Sequence, residues 1–116
     1  MNLYKDLLVW QKARKIVKEI YELVALFPKN EQYGLVDQMK RAAVSIPSNI
    51  AEWNSRNSAK DQIQFLYIAR GSCAELETQI LLSEDLWFLE QQKSQELCEK
   101  VVEISKMLAW LIRSKE

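Results

Sequence analysis

Apolar residues recur at steps of three and four along most of this chain, which is the spacing of one face of an α-helix. Four segments carry the pattern, at about residues 6–27, 33–54, 58–86 and 94–113. Their core stripes are Trp10, Ala13, Val17, Ile20, Val24 and Phe27; Leu35, Met39, Ala42, Ile46 and Ile50; Leu66, Ala69, Cys73, Leu76 and Ile80; and Leu97, Val101, Ile104, Leu108 and Leu111. The short connections favour antiparallel neighbours. The pattern predicts an all-α protein, an antiparallel up-down-up-down four-helix bundle with residues 1–116 as one domain.

Single residues refine these helices. Asp6 can cap the first helix and Ser58 the third, where Asp61 follows three residues later. Pro47 lies inside the second helix, where a proline removes a backbone hydrogen bond and clashes with the preceding turn. The stripe stays in phase across Pro47, which favours a kink over two shorter helices that meet there. Gly71 lies within the third helix, where a glycine often marks the close approach of another backbone.

Composition narrows the class of protein further. Lys plus Arg equals Asp plus Glu at 16 each, but residues 1–58 carry nine basic and six acidic side chains against seven and ten in residues 59–116. Histidine, the commonest general base and metal ligand, is absent, and two glycines leave no phosphate-binding loop. We therefore expect no enzyme, no cofactor and no metal. Without a leader or a membrane-length apolar run, we expect a cytoplasmic protein, with Cys73 and Cys98 reduced in the core.

Basic side chains of the first helix lie away from its core stripe: Lys12, Arg14, Lys15 and Lys18. One interpretation is a patch that contacts phosphates. The other is an ordinary solvated face, because Glu19 and Glu22 each follow a lysine by four residues and can pair with it within the helix. The pattern alone leaves both open.

The second helix has a polar line on the side away from the core, formed by Arg41, Ser45, Ser48 and Glu52. Beside the core stripe it also has an apolar flank of small residues, formed by Val36, Ala43, Pro47 and Ala51. The apolar arc is wider than one bundle core requires. It predicts either a subunit interface or a helix wedged between two neighbours of its own bundle.

Charged and aromatic residues at the borders of the core are further candidates. Arg70 and Glu77 lie two turns apart on the third helix, so we expect them to join a polar network, with each other or across an interface. Trp10 belongs to the core pattern. Trp53 and Trp87 fall near helix ends, where a partly exposed Trp can anchor an interface or close the end of the bundle.

Several stretches resemble a known family. They are residues 8–13 (LVWQKA), 38–52 (QMKRAAVSIPSNIAE), 68–72 (IARGS) and 74–79 (AELETQ). Together they resemble the bacterial four-helix-bundle proteins encoded in intervening sequences of large-subunit ribosomal RNA genes, also labelled ribosomal-protein-like. The accessory protein of diversity-generating retroelements is similar. After Glu52 the family pattern has glycines where this chain has Trp53 and Ser55, so the turn into the third helix is expected to differ.

The resemblance implies a left-handed bundle that assembles into a ring, typically a pentamer, with no enzymatic activity. For the retroelement relatives it implies binding to nucleic acid and to a reverse transcriptase. We therefore expect a non-catalytic homo-oligomer that binds structured RNA or a nucleoprotein partner, or alternatively a protein–protein scaffold with no nucleic-acid role. The residues expected to contact nucleic acid are Lys12, Arg14, Lys15, Lys18, Lys40 and Arg41. Those expected in the oligomer interface are Arg41, Ser45, Ser48, Glu52, Arg70 and Glu77.

Overall fold

The computed structural model describes residues 4–116, which form four α-helices and no β-strand. The helices are α1 (Leu8–Val24), α2 (Leu35–Ser55), α3 (Ala59–Asp85) and α4 (Gln91–Lys115). Short 3-10 turns occupy Tyr4–Asp6 and Lys29–Glu31. The prediction of an all-α protein with four helices is confirmed.

The ends of α1 differ from their predicted positions. Asp6 lies in the preceding 3-10 turn, and Leu7 takes the N-cap position without a side-chain hydrogen bond. At the other end the backbone N–H of Phe27 donates to the Val24 carbonyl at 3.1 Å, a step of three residues that tightens the last turn. Pro28 follows, and the residue before a proline is disfavoured in the α-helical region. The helix therefore stops short of Phe27.

The predicted cap of α3 is present. The Ser58 hydroxyl accepts a hydrogen bond from the Asp61 backbone N–H at 3.2 Å, satisfying one of the donors that a helix start leaves unpaired. α2 runs without interruption through Pro47. A kink at Pro47, the left-handedness of the bundle and its up-down-up-down order remain predictions.

The four helices enclose one core. Each helix packs against the next along the chain, and α1 also packs against α4. Lys12 of α1 pairs with Glu103, and Glu19 pairs with Lys100, so residue numbers rise along α1 as they fall along α4. These are the contacts of antiparallel neighbours. None of the helices in residues 4–116 is long and apolar enough to cross a membrane.

Large aliphatic side chains fill the centre of the core. The largest fully buried ones are Ile16, Ile20, Met39, Ile46, Ile50, Leu66, Leu76, Ile80, Leu97, Val101, Ile104 and Leu108. Trp53 was expected to be partly exposed, but it is only 7% exposed and closes the core near the end of α2. Trp10 and Cys98 pack on the core from its edge and are only partly buried. The periodicity located most of each stripe, but it included the partly buried Val17 and Leu111 and omitted the buried Ile16 and Ile112 beside them.

Candidate nucleic-acid interface

A shallow depression of about 320 Å³ runs between α1 and α2. We call it the α1/α2 groove; its lining is Tyr4, Trp10, Arg14, Val17, Val44, Pro47, Ser48 and Ala51. The side chains that α2 contributes are small, so the larger aromatic and basic side chains of α1 remain accessible beside them. Part of the wide apolar arc of α2 is thus used within the chain, against α1.

Two cations on this side of the bundle lie over aromatic rings: Arg14, which lines the groove, and Lys40, which lies one turn of α2 before the lining residue Val44. The guanidinium of Arg14 is 5.6 Å from the centre of the Trp10 ring, and the ammonium of Lys40 is 4.9 Å from the centre of the Tyr21 ring. Such contacts hold a cation in place through the negative face of the ring. Within residues 4–116 neither cation has a carboxylate within 4.0 Å, so their N–H donors stay available to an anion.

Two further predicted cations are partly neutralised by acidic neighbours on their own helices. The Arg41 guanidinium donates to an Asp37 carboxylate oxygen at 3.0 Å. Lys18 approaches Glu22 at 4.0 Å, so one of the two pairings expected on a solvated α1 face is present. These exposed pairs are weak, on the order of 0.5 kcal/mol, and a polyanion can compete for both cations.

The remaining two predicted cations lie on the other side of α1. Lys12 and Lys15 line a separate depression of about 300 Å³ between α1 and α4. The Lys12 ammonium is 2.9 Å from Glu103, and Glu19 is 2.7 Å from Lys100 instead of pairing with Lys15. The expected pair of Lys15 with Glu19 is absent, because α4 supplies another lysine to Glu19. Of the six predicted cations, Arg14 lines the α1/α2 groove, and Lys12 and Lys15 line this second depression, which we call the α1/α4 groove. Lys18, Lys40 and Arg41 line neither groove.

The residues expected in the oligomer interface also separate into groups. Ser45 turns toward α3, where its hydroxyl accepts a hydrogen bond from the Ser72 hydroxyl at 2.8 Å. Asn49 donates to the Ser45 hydroxyl and carbonyl, which completes a polar bridge inside the chain. Arg41, Ser48 and Glu52 are exposed.

Glu52 pairs with Arg56, which lies four residues after it, at 2.9 Å. Arg70 is exposed and Glu77 half-buried. Within residues 4–116 no ion pair joins Arg70 to Glu77. The expected polar network between them therefore does not form within one chain.

The outer side of α3 is a partly apolar surface, of which the sequence pattern indicates only Tyr67 and Ala74. Its exposed residues include Tyr67, Ile68, Gly71, Ala74, Thr78, Leu81 and Leu82, which we call the α3 outer face. A side chain built at Gly71 would meet nothing within 4 Å. The sequence carries a signal for this surface, because α3 has the large apolar residues Ile68, Leu81 and Leu82 outside its core stripe.

The two thiols are placed for packing rather than for chemistry. Burial raises the pKa of Cys73 to about 12, and the Glu77 carboxylate adds to the rise. Burial also raises the pKa of the half-buried Cys98. A thiolate is the reactive form of cysteine, so neither thiol is activated near neutral pH. Residues 4–116 hold no group of three or more His, Cys, Asp or Glu side chains placed to bind a metal ion.

Four packed helices with a cationic, aromatic-lined groove define a helical-bundle protein. The family model of the 23S rRNA-intervening sequence protein matches residues 5–110, so the chain belongs to that family. The resemblance to proteins encoded in ribosomal-RNA intervening sequences is thereby confirmed. The link to retroelement accessory proteins remains a prediction.

A solved structure with a known family name has the same fold. It is a protein of unknown function from the S23 ribosomal protein family of Bacteroides thetaiotaomicron. It superposes with a TM-score of 0.82 over 90% of this chain and 98% of its own, at 23% identity. Identity this low supports the shared fold and nothing finer. No curated protein matches the chain.

Proposed function

We propose that this chain is a non-catalytic helical bundle that forms a homopentameric ring and binds structured RNA, or a nucleoprotein that contains it, through the α1/α2 groove. The observation that carries the proposal is the pair of cations Arg14 and Lys40, each held over an aromatic ring and unpaired with a carboxylate in the described residues. Membership of a family named for ribosomal-RNA intervening sequences supports the choice of RNA. The setting we propose is the cytoplasm.

The chemistry of the α1/α2 groove suits RNA better than double-stranded DNA. Arg14 and Lys40 offer N–H donors to phosphate oxygens, and Arg41 and Lys18 can add to them. Unpaired bases of loops and bulges can stack on exposed aromatic surface beside these cations, where Tyr21 is 43% exposed. The α1/α4 groove is less suited, because Glu19 and Glu103 carry negative charge into it.

The test is a filter-binding titration of the protein with a structured 23S-derived RNA at several salt concentrations. Replacing Arg14 and Lys40 together by glutamine should weaken binding about tenfold or more and lower the salt slope by about 0.7–0.9 for each lost phosphate contact. The matched control replaces Lys12 and Lys100 by glutamine, which removes the same charge from the α1/α4 groove. Equal losses in both double variants, or binding that does not respond to salt, would remove the α1/α2 groove as the RNA site.

Assembly into a ring is supported by the α3 outer face. Ile68 is 50% exposed and Leu82 is 45% exposed, with Gly71 between them. Glycine within a helix costs about 1 kcal/mol relative to alanine, and nothing in the same chain approaches Gly71 closely enough to require it. A helix of another copy packing across Gly71 would account for both the open glycine and the apolar residues around it.

The assembly mass tests this part of the proposal. Native mass spectrometry at two salt concentrations should give a mass near five times 13.6 kDa. A Gly71→Leu variant should keep its helical circular dichroism, because the new side chain meets no atoms of its own chain, yet lose the assembly. A Thr78→Leu variant adds apolar bulk further along the same face and should disrupt packing less, since no open glycine lies there. A monomeric wild type would refute the ring.

A scaffold without a nucleic-acid role is the second candidate. The observation that favours it is the same α3 outer face, which provides for assembly without requiring RNA. This candidate predicts that replacing Arg14 and Lys40 leaves every function of the protein intact, whereas Gly71→Leu abolishes it. The two double variants and Gly71→Leu together separate the candidates.

A further inference from the structure

The connection from α3 to α4 holds a Trp in a backbone conformation that usually belongs to glycine. Trp87 has φ 66°, the only positive φ of a non-glycine residue within residues 4–116. The Phe88 backbone N–H donates to the Ser83 carbonyl at 2.9 Å, and the Trp87 N–H donates to the Glu84 carbonyl at 3.0 Å. This pair of bonds is the Schellman ending of a helix, in which glycine is the favoured residue at the position of Trp87.

Contacts among the described residues do not explain why a Trp occupies this position. Its side chain is 92% exposed, so it adds almost nothing to the core. Left-handed backbone is unfavourable for a residue with a β-carbon, and an exposed indole gains nothing from folding. An unfavourable residue at a position that favours glycine points to a contact outside the chain.

Other large apolar side chains are exposed at the same end of the bundle. The connection between α1 and α2 meets the connection between α3 and α4 through the rings of Phe27 and Phe88, whose centres are 5.4 Å apart. The two connections expose Leu26 (84%), Tyr33 (91%), Leu86 (52%) and Trp87 (92%), which we call the loop-end surface. An aromatic and aliphatic cluster of this kind is typical of a protein-binding surface.

The charge beside Trp87 indicates which partner fits. A depression of about 660 Å³ next to it is lined by the acidic residues Glu84, Asp85 and Glu90. Within residues 4–116 none of these carboxylates has a cation within 4.0 Å. Their charge repels the phosphates of RNA and of anionic lipid. It attracts lysine and arginine side chains, which also stack favourably on the face of a Trp.

We propose that the loop-end surface docks a protein partner through a cationic segment of that partner. An arginine of the segment lies over the Trp87 indole, basic neighbours pair with Glu84, Asp85 and Glu90, and apolar side chains of the segment cover Leu86. This surface is independent of the α1/α2 groove, so a protein that binds RNA in the groove can hold a basic protein at its end.

The probe is a short fluorescent peptide that alternates arginine with leucine, titrated against the full chain by anisotropy. Trp87→Ala should weaken peptide binding about tenfold or more, as expected for the loss of a Trp anchor. Replacing Glu84 and Asp85 by glutamine and asparagine should weaken it about tenfold at low salt and reduce its dependence on salt. The control is Trp110→Ala, which removes an exposed Trp far along α4 and should leave affinity unchanged. Circular dichroism verifies the fold of each variant.

Four results would overturn the proposal. The first is no peptide binding by the wild type, and the second is equal loss in Trp87→Ala and Trp110→Ala. The third is weakened RNA binding in Trp87→Ala, which would show that the loop-end surface binds RNA. The fourth is a smaller assembly mass for Trp87→Ala, which would show that the loop-end surface contacts a second copy of the chain. The variant lacking Arg14 and Lys40 should bind the peptide normally, so failure of the RNA proposal leaves this one standing.

Discussion

Replacing Trp87 by glycine is expected to raise the stability of this protein, although most substitutions lower it. Trp87 holds φ 66° at the end of α3. At that angle the β-carbon crowds the backbone, and glycine has no β-carbon. Because the indole is 92% exposed, its removal leaves no cavity in the core.

The expected gain follows from two opposing effects. A left-handed conformation costs a residue with a β-carbon about 1–2 kcal/mol. Glycine avoids this cost but itself lowers stability by about 0.5–1 kcal/mol, because a glycine in the unfolded chain has more conformations to lose on folding. At the middle of both ranges, the net gain in the free energy of unfolding is therefore about 0.75 kcal/mol. For a chain of this size that raises Tm by roughly 2–4 °C.

Thermal unfolding followed by circular dichroism measures the effect, with all variants at one protomer concentration because assembly shifts Tm. Trp87→Ala is the matched control, since it removes the indole but keeps the β-carbon and so the unfavourable backbone. It should unfold within about 2 °C of the wild type. A glycine variant no more stable than the alanine variant would refute the argument from backbone conformation.

Three further predictions concern stability. Raising the pH from about 8 to about 10 should destabilise the wild type by about 1 kcal/mol more than Cys73→Ala. The pKa of the Cys73 thiol is 9.0 in the unfolded chain but about 12 in the folded protein, where it is buried. Its contribution to the free energy of unfolding is therefore complete below pH 9.0 and is lost as the pH rises toward 12. Equal losses of stability in the two proteins, measured by urea unfolding, would contradict this. Gln79→Met should raise the free energy of unfolding by about 1 kcal/mol, because the buried Gln79 Oε1 accepts no hydrogen bond within the described residues; a lower urea midpoint would count against it. Ser58→Ala should lower it by about 1 kcal/mol through loss of the α3 cap, and an unchanged midpoint would show that the cap contributes nothing.

The helices themselves could be read from the sequence because their signals are local. A period of three to four residues reports which side of a helix is buried, and the cap formed by Ser58 and Asp61 requires only residues three apart. The ends of α1 were less accurate. There, the 3-10 turn before Leu8 competes with the first turn of the helix, and hydrogen bonds over three residues replace helical ones at Leu26 and Phe27.

The candidate site was predicted less completely, because helical periodicity does not show which neighbouring helix each side of a helix contacts. The sequence predicts that six cations of α1 and α2 contact nucleic acid, yet α1 directs Arg14 toward α2 and Lys12 toward α4. Their partners come from other helices: Lys40 meets Tyr21, and Glu103 meets Lys12. No spacing within one helix could have given these pairs.

By itself the sequence determined that this protein is a four-helix bundle of its family, because helical periodicity and family motifs are written along the chain. Only the tertiary structure decided which cations remain available, that Trp53 is buried and that Trp87 is fully presented to solvent in a left-handed backbone. The physical reason is that burial and pairing depend on the rotation and register of one helix against the next. These are set by packing among residues far apart in sequence.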